Sequence, residues 1–190
     1  MEAFLLSTGI VALAEMGDKT QLLSLILSAR FKRPLPIVLG ILVATLVNHA
    51  LAGAVGAWIT QLLGPEMLRW VLGLSFLGMA VWMLIPDKLD DTDATPGRFG
   101  VFGTTLVTFF LAEMGDKTQI ATVALSARFA ADFLPVVAGT TAGMMIANVP
   151  AVLLGERVAK VVPIRAVHVI TAVIFAALGV LAIFNVGELL

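Results

Sequence analysis

The sequence predicts an all-α integral membrane protein of six transmembrane helices, arranged as two inverted-topology three-helix repeats. Three observations predict it. Of the 190 residues, 59% are hydrophobic and only 13% charged, against about 25% charged in an average soluble chain. The chain divides into six apolar stretches, each near the ~20 residues that a bilayer requires. Finally, Glu15-Met16-Gly17-Asp18-Lys19-Thr20 returns as Glu113-Met114-Gly115-Asp116-Lys117-Thr118, and residues 13–31 match residues 111–129 at 14 of 19 positions with a constant offset of 98.

Span 1 is expected over about residues 3–29, with the first motif near its middle. No basic segment precedes it and no small-residue cleavage pattern follows, so it reads as a span and not a removable signal. Arg30, Lys32 and Arg33, with Pro34 and Pro36, make a short basic connection to span 2, about residues 36–62, which carries Asn48 and His49 near its centre. Gly64-Pro65-Glu66 is a turn. Span 3 covers about residues 68–85. A hydrophilic linker, residues 87–98, separates a first repeat (1–86) from a second (99–190), the two forming one transmembrane domain. Span 4 (about 99–127) holds the second motif, and span 5 (about 133–154) holds Asn148 and Pro150. A basic connection at 156–165 leads to span 6, about 166–186. Pro36/Pro135, Gly40/Gly139 and Asn48/Asn148 continue the repeat at offsets of 99, 99 and 100, and such self-similarity takes precedence over other signals.

An odd number of spans per repeat makes the second copy enter the membrane from the opposite side, as in many secondary transporters. Loop charge tests this. Arg30, Lys32, Arg33, Lys88, Arg98, Arg157, Lys160 and Arg165 fall on connections 1, 3 and 5, while only Arg69 and Arg128 fall on the other side. By the positive-inside rule the odd connections are cytoplasmic and both termini lie on the extracytoplasmic side. The absence of Cys excludes disulfides, thiolate metal sites and thiol nucleophiles.

Carboxylates and lysines inside apolar spans are expensive, and they persist where they meet partners or water. Two copies of one costly motif imply one site assembled from two halves. Glu15, Asp18, Glu113 and Asp116, less Lys19 and Lys117, leave a formal charge of −2, which suits one divalent cation. Carboxylate, amide and hydroxyl oxygens are hard donors, suited to Mg²⁺, Ca²⁺ or Mn²⁺ and not to Zn²⁺ or Cu⁺. Thr20, Gln21, Asn48, Thr118, Gln119 and Asn148 are candidates to complete the shell or to act in gating. Met16 and Met114 would favour Mn²⁺ over Ca²⁺ if their sulfurs reached the ion, although a mid-span Met is more often packing. When the cation leaves, the clustered acids repel one another, so protons should replace it, and the two lysines limit the charge of the empty site. On a continuous helix Glu15, Asp18 and Leu22 would share a face. Gly17, Gln21, Ser24 and Ser28, with their copies Gly115, Gln119, Thr122 and Ser126, form small polar stripes. Such stripes let spans 1 and 4 approach each other or spans 2 and 5 closely. The two glycines are places where the helix can loosen.

Plainer roles compete for several of these groups. Intramotif Glu–Lys pairs would neutralise charge for insertion, Asn48 and Asn148 would serve helix packing, and His49, opposite Val149 in the repeat, would supply buried polarity. Asp87, Asp90, Asp91 and Asp93 read as a solvated linker, and Trp58, Trp70 and Trp82 as interfacial or packing aromatics. Competing functions are a proton-coupled exporter of a small cationic solute such as an amino acid, an intramembrane aspartyl protease, and a non-transporting scaffold. The Lys after each Asp argues against the protease, and duplicated buried charge argues against the scaffold.

With the doubled E-x-G-D-K-T the chain resembles a family of small membrane proteins that carry two E-x-G-D-[KR]-[TS] motifs in inverted three-span repeats. That family includes Golgi manganese/calcium transporters and bacterial manganese exporters. The resemblance covers essentially the whole chain. It implies cation/proton antiport that exports Mn²⁺, or Ca²⁺, from the cytoplasm, with Glu15, Asp18, Glu113 and Asp116 as the cation-binding acids. It implies no enzyme activity, no catalytic residue and no catalytic cofactor. The partners expected are the divalent cation, protons and the lipid bilayer, with no nucleic acid and a homo-oligomer left open. The location expected is a bacterial inner (plasma) membrane.

Overall fold

In the computed structural model, residues 1–85, 100–155 and 163–185 are described. Among them every regular element is helical. Proline at the first helical position, where its missing N–H costs nothing, opens α3 (Pro34–Leu62) and α4 (Pro65–Trp82). The two motif-bearing segments are not continuous helices. The first is α1 (Glu2–Glu15) followed by α2 (Lys19–Phe31), and the second is α5 (Gly100–Glu113) followed by α6 (Lys117–Arg128). A single 3₁₀ turn, Ala130–Asp132, leads into α7 (Phe133–Leu154), and α8 (Ile164–Phe184) completes the described chain. Pro34–Leu62, Ala130–Leu154 and Ile164–Ile183 are long and apolar enough to cross a bilayer, and Gly100–Glu113 is a shorter apolar helix.

The shared face expected for Glu15, Asp18 and Leu22 therefore does not exist. The chain leaves the helix after Glu15, because Gly17 takes φ +85°, and Gly115 repeats this at φ +74°. That conformation costs an L side chain about 1–2 kcal/mol, which is why glycine stands at both points. Each break ends at an aspartate in extended conformation, Asp18 or Asp116, from which α2 or α6 starts. The loosening at the glycines is thus present in full.

The two halves interleave. α1 and α2 pack on α7, while α5 and α6 pack on α3. Small residues set these approaches, as expected where helices meet without a hydrophobic drive from water. A Cβ on Gly143 would lie 2.6 Å from the Thr8 carbonyl oxygen, and one on Gly40 would lie 2.8 Å from Thr105 Cβ. The polar stripes were expected here. Ser24 Oγ reaches Asn148 at 2.7 Å and Ser28 Oγ reaches the Val152 carbonyl at 2.6 Å, both on α7. α4 and α8 form a separate antiparallel pair, close enough that a Cβ on Gly73 would lie 3.0 Å from the Gly179 carbonyl, with Phe76 stacked on Phe175 at 6.2 Å.

Two buried apolar clusters result. One joins α4 and α8 to α1 and α6 through residues such as Ile10, Ala14, Phe76, Met83, Ala124 and Phe175. The other joins α2, α3, α5 and α7 through Leu23, Leu27, Ile37, Ile41, Phe109 and Val152. The linker at 87–98 with its four aspartates, and most of the basic connection at 156–165, lie outside the described residues.

Candidate cation site

Because both motif segments break at the same point and the halves interleave, the two breaks face each other in the interior. Glu15, Asp18, Glu113 and Asp116 are all buried, none more than 2% exposed. The lysines form ion pairs that cross between the motifs. Lys19 Nζ lies 3.1 Å from Asp116 Oδ1, and Lys117 Nζ lies 3.5 Å from Asp18 Oδ1. Each motif therefore neutralises the aspartate of the other, and the intramotif Glu–Lys pairing considered from sequence is absent from these pairs. The pairs are unequally covered, with the Lys19 side chain 27% exposed and that of Lys117 2%.

The glutamates are left facing each other. Thr20 donates its hydroxyl to Glu15 Oε2, and Thr118 donates to Glu113 Oε2 at 3.3 Å. The second oxygens, Glu15 Oε1 and Glu113 Oε1, are buried without a hydrogen-bond partner, as is Asp116 Oδ2. Glu15, Glu113 and Asp116 each bring one carboxylate oxygen within 4.8 Å of the other two. Acceptors buried without a donor cost a few kcal/mol each, and a positive ion or protons held among the three acids would offset that cost. The donor set is all oxygen, which fits a hard divalent cation.

The remaining candidate residues divide. Gln21 accepts the Gly17 N–H at 2.9 Å and donates to the Ala147 carbonyl at 3.0 Å, and Gln119 accepts the Gly115 N–H at 2.7 Å. Both glutamines thus tie down the helix breaks. Asn148 Oδ1 accepts from Ser24 while its Nδ2 donates to the Met144 carbonyl at 3.1 Å. Asn48 Nδ2 donates to the Phe110 carbonyl at 3.0 Å, one turn from Glu113. His49 is fully buried, and neither ring nitrogen has a hydrogen-bond partner. Met114 is 57% exposed. Met144 brings its sulfur into this polar network, 2.9 Å from Asn148 Nδ2. Its repeat counterpart is Ala44, so the repeat carried no sign of it. His168, which bonds the Met16 carbonyl at 3.1 Å, was equally invisible, since its neighbours in sequence are apolar.

The glycines give a paired prediction. Gly115→Ala meets no described residue and carries only the backbone cost, so it should lower stability by about 1–2 kcal/mol. Gly17→Ala adds a clash with Ile164 and should cost clearly more. Unfolding midpoints of the two variants in detergent compare them directly, and equal shifts would mean that the crowding at Gly17 relaxes freely.

The sequence pattern of a family described as "Divalent cation/proton antiporter GDT1" matches residues 3–91 and 101–188. A Vibrio cholerae protein named "Putative manganese exporter" is 47% identical over 184 residues, covering 97% of this chain and 92% of that one. A "GDT1-like protein 3" of Oryza sativa subsp. indica is 28% identical, covering 96% of this chain and 74% of its own. "GDT1-like protein sll0615" of Synechocystis is 27% identical, covering 96% and 97%. No solved structure matches the chain.

Proposed function

We propose a function from the premise that the chain belongs to the GDT1 family of divalent cation/proton antiporters: it exports Mn²⁺ from the cytoplasm in exchange for protons. As a member of that family it is an integral membrane transporter and not an enzyme. The observation that carries the reading is the convergence of Glu15, Glu113 and Asp116, one carboxylate oxygen of each within 4.8 Å of the others, in a cluster where each acid also keeps a buried oxygen without a hydrogen-bond partner. With Lys19 and Lys117 offsetting Asp116 and Asp18, the two glutamates supply the −2 that a divalent cation balances. Protons take their place when the ion departs, because adjacent buried carboxylates do not stay ionised together. Thr20 and Thr118 orient the two glutamates, Asn148 ties α2 to α7 through Ser24, Gln21 and Gln119 hold the breaks, and Asn48 braces α5.

The substrate choice of Mn²⁺ over Ca²⁺ is supported by the name of the Vibrio cholerae relative. Six crossings in two inverted repeats, with both termini extracytoplasmic, are supported by the repeat, by the interleaved packing and by the excess of positive charge on the odd connections. The site then stands near the membrane midplane, and access alternates by movement of elements around it.

The test is flux in proteoliposomes under an imposed pH gradient, with Mn²⁺, Ca²⁺ and Mg²⁺ compared and free lysine added as a competitor. Mn²⁺ movement that collapses with the gradient and ignores lysine is expected. Flux of lysine with no movement of any metal would replace the cation reading by that of a cationic-solute exporter.

A further inference from the structure

The motifs are close to symmetric in their ion pairs, but the structure around them is not. α4 and α8 pack on α1 and α6, and among the described residues α2 and α5 have no comparable packing with this pair. The difference reaches the motifs themselves. Over the first break, the first two turns of α8 set Ile164 and His168 against Gly17, and His168 Nε2 lies 3.1 Å from the Met16 carbonyl oxygen. A carbonyl only accepts, so Nε2 carries the proton in this contact. Over the second break nothing among the described residues lies within 4 Å of a Cβ on Gly115, and Met114 is 57% exposed.

The same contrast extends along the half-helices. Ala124 on α6 is 3% exposed within the apolar cluster that α4 and α8 join, while its counterpart Ile26 on α2 is 45% exposed. Lys117 is enclosed and Lys19 is open. A lysine ammonium partly exposed at this depth of a membrane protein needs water around it, so the open flank is a wet approach to the site.

We infer that His168 is a positioning residue that latches the α4–α8 pair onto the break in the first motif, so that this pair closes the α1/α6 end of the site and leaves the α2/α5 end open. The inference rests on the transport reading above. By the topology proposed there, the open end is cytoplasmic, and this arrangement takes up the ion. The pseudo-twofold relation that exchanges the motifs supplies the opposite arrangement, in which the pair packs on α2 and α5, α4 covers Gly115, and the His168 bond to Met16 is broken. Met16 accepts this bond through its backbone, so the latch senses whether the first break is formed. That break positions Glu15 and Asp18, which gives a direct link between the shape of the site and the position of the gate.

The chain has no cysteine, so single thiols report accessibility without background. Met16→Cys and Met114→Cys are each placed in wild-type, His168→Ala and His168→Gln backgrounds, reconstituted, and labelled without metal by a small charged maleimide from either side. The expected result is labelling of Met114→Cys at least 10-fold faster than of Met16→Cys. His168→Ala should raise the Met16→Cys rate several-fold, and His168→Gln, whose amide can still donate to the carbonyl, should restore protection. A purely structural role would lower stability in both variants without that rescue. Equal labelling of the two thiols, or a Met16→Cys rate that ignores His168→Ala, overturns the latch. Mn²⁺ flux measured on the same vesicles separates the two readings, since labelling asymmetry without flux supports the latch while removing the antiporter reading.

Discussion

Glu15→Gln and Glu113→Gln should each reduce proton-coupled Mn²⁺ flux by two orders of magnitude or more while leaving a folded protein. Each substitution removes one of the three converging oxygens as a charged ligand and halves the −2 of the glutamate pair. Loss of an outer partner of a metal site typically costs 10–100-fold, so loss of a charged inner donor should cost about 100-fold at least. The fold should tolerate the change. Gln keeps the shape of Glu, its amide oxygen still accepts from Thr20 or Thr118, and one buried carboxylate fewer relieves repulsion between the two. Flux and thermal midpoint measured on the same preparation check both halves of the claim. A Glu113→Gln variant that transports normally would show that the site belongs to the first motif alone.

The largest effect on stability is expected from Lys117→Met. This lysine is 2% exposed and stands 3.5 Å from an equally buried Asp18. Removing one partner of a buried ion pair costs about 3–5 kcal/mol, because the other charge stays behind. Lys19→Met should cost less, since the 27% exposure of Lys19 lets water screen Asp116 once the ammonium has gone. Asp18→Asn combined with Lys117→Met should recover most of the loss. A full set of single and double variants, unfolded in detergent, measures the coupling, and a double variant no more stable than Lys117→Met would show that the pair is not the source.

The sequence made the helical class and the boundaries of α3, α4, α7 and α8 readable, because long apolar runs bounded by Pro or Gly leave few alternatives. It also made the four acids, the two lysines and the two hydroxyls readable as one group, since charged motifs duplicated inside apolar segments are costly unless they meet. Two features were readable in part or not at all: the glycines marked where the helix could loosen but not that it ends there, and the pairing of the lysines was hidden. Periodicity put Glu15, Asp18 and Leu22 on one face because apolar residues continue on both sides of Gly17 without a change of composition; only a positive φ at that glycine, which a sequence does not display, ends α1. The exchange of lysines between motifs was hidden for another reason. Lys19 adjoins Asp18 and stands four residues from Glu15, yet the carboxylate it meets depends on how the two halves lie together. His168 and Met144 belong to the unequal part of the molecule, and a repeat shows only what is equal.

The exchanged ion pairs also bear on how the protein is made. Synthesis delivers the first repeat before the second, and N-terminal units generally fold as they emerge. Here that order fails at the centre, because Asp18 must wait for Lys117, and Lys19 for Asp116. Until α5 and α6 arrive, α7 is also missing as the surface on which α1 and α2 pack. The first half is therefore complete only after α5, α6 and α7 have followed it, and charges of the second motif settle those of the first.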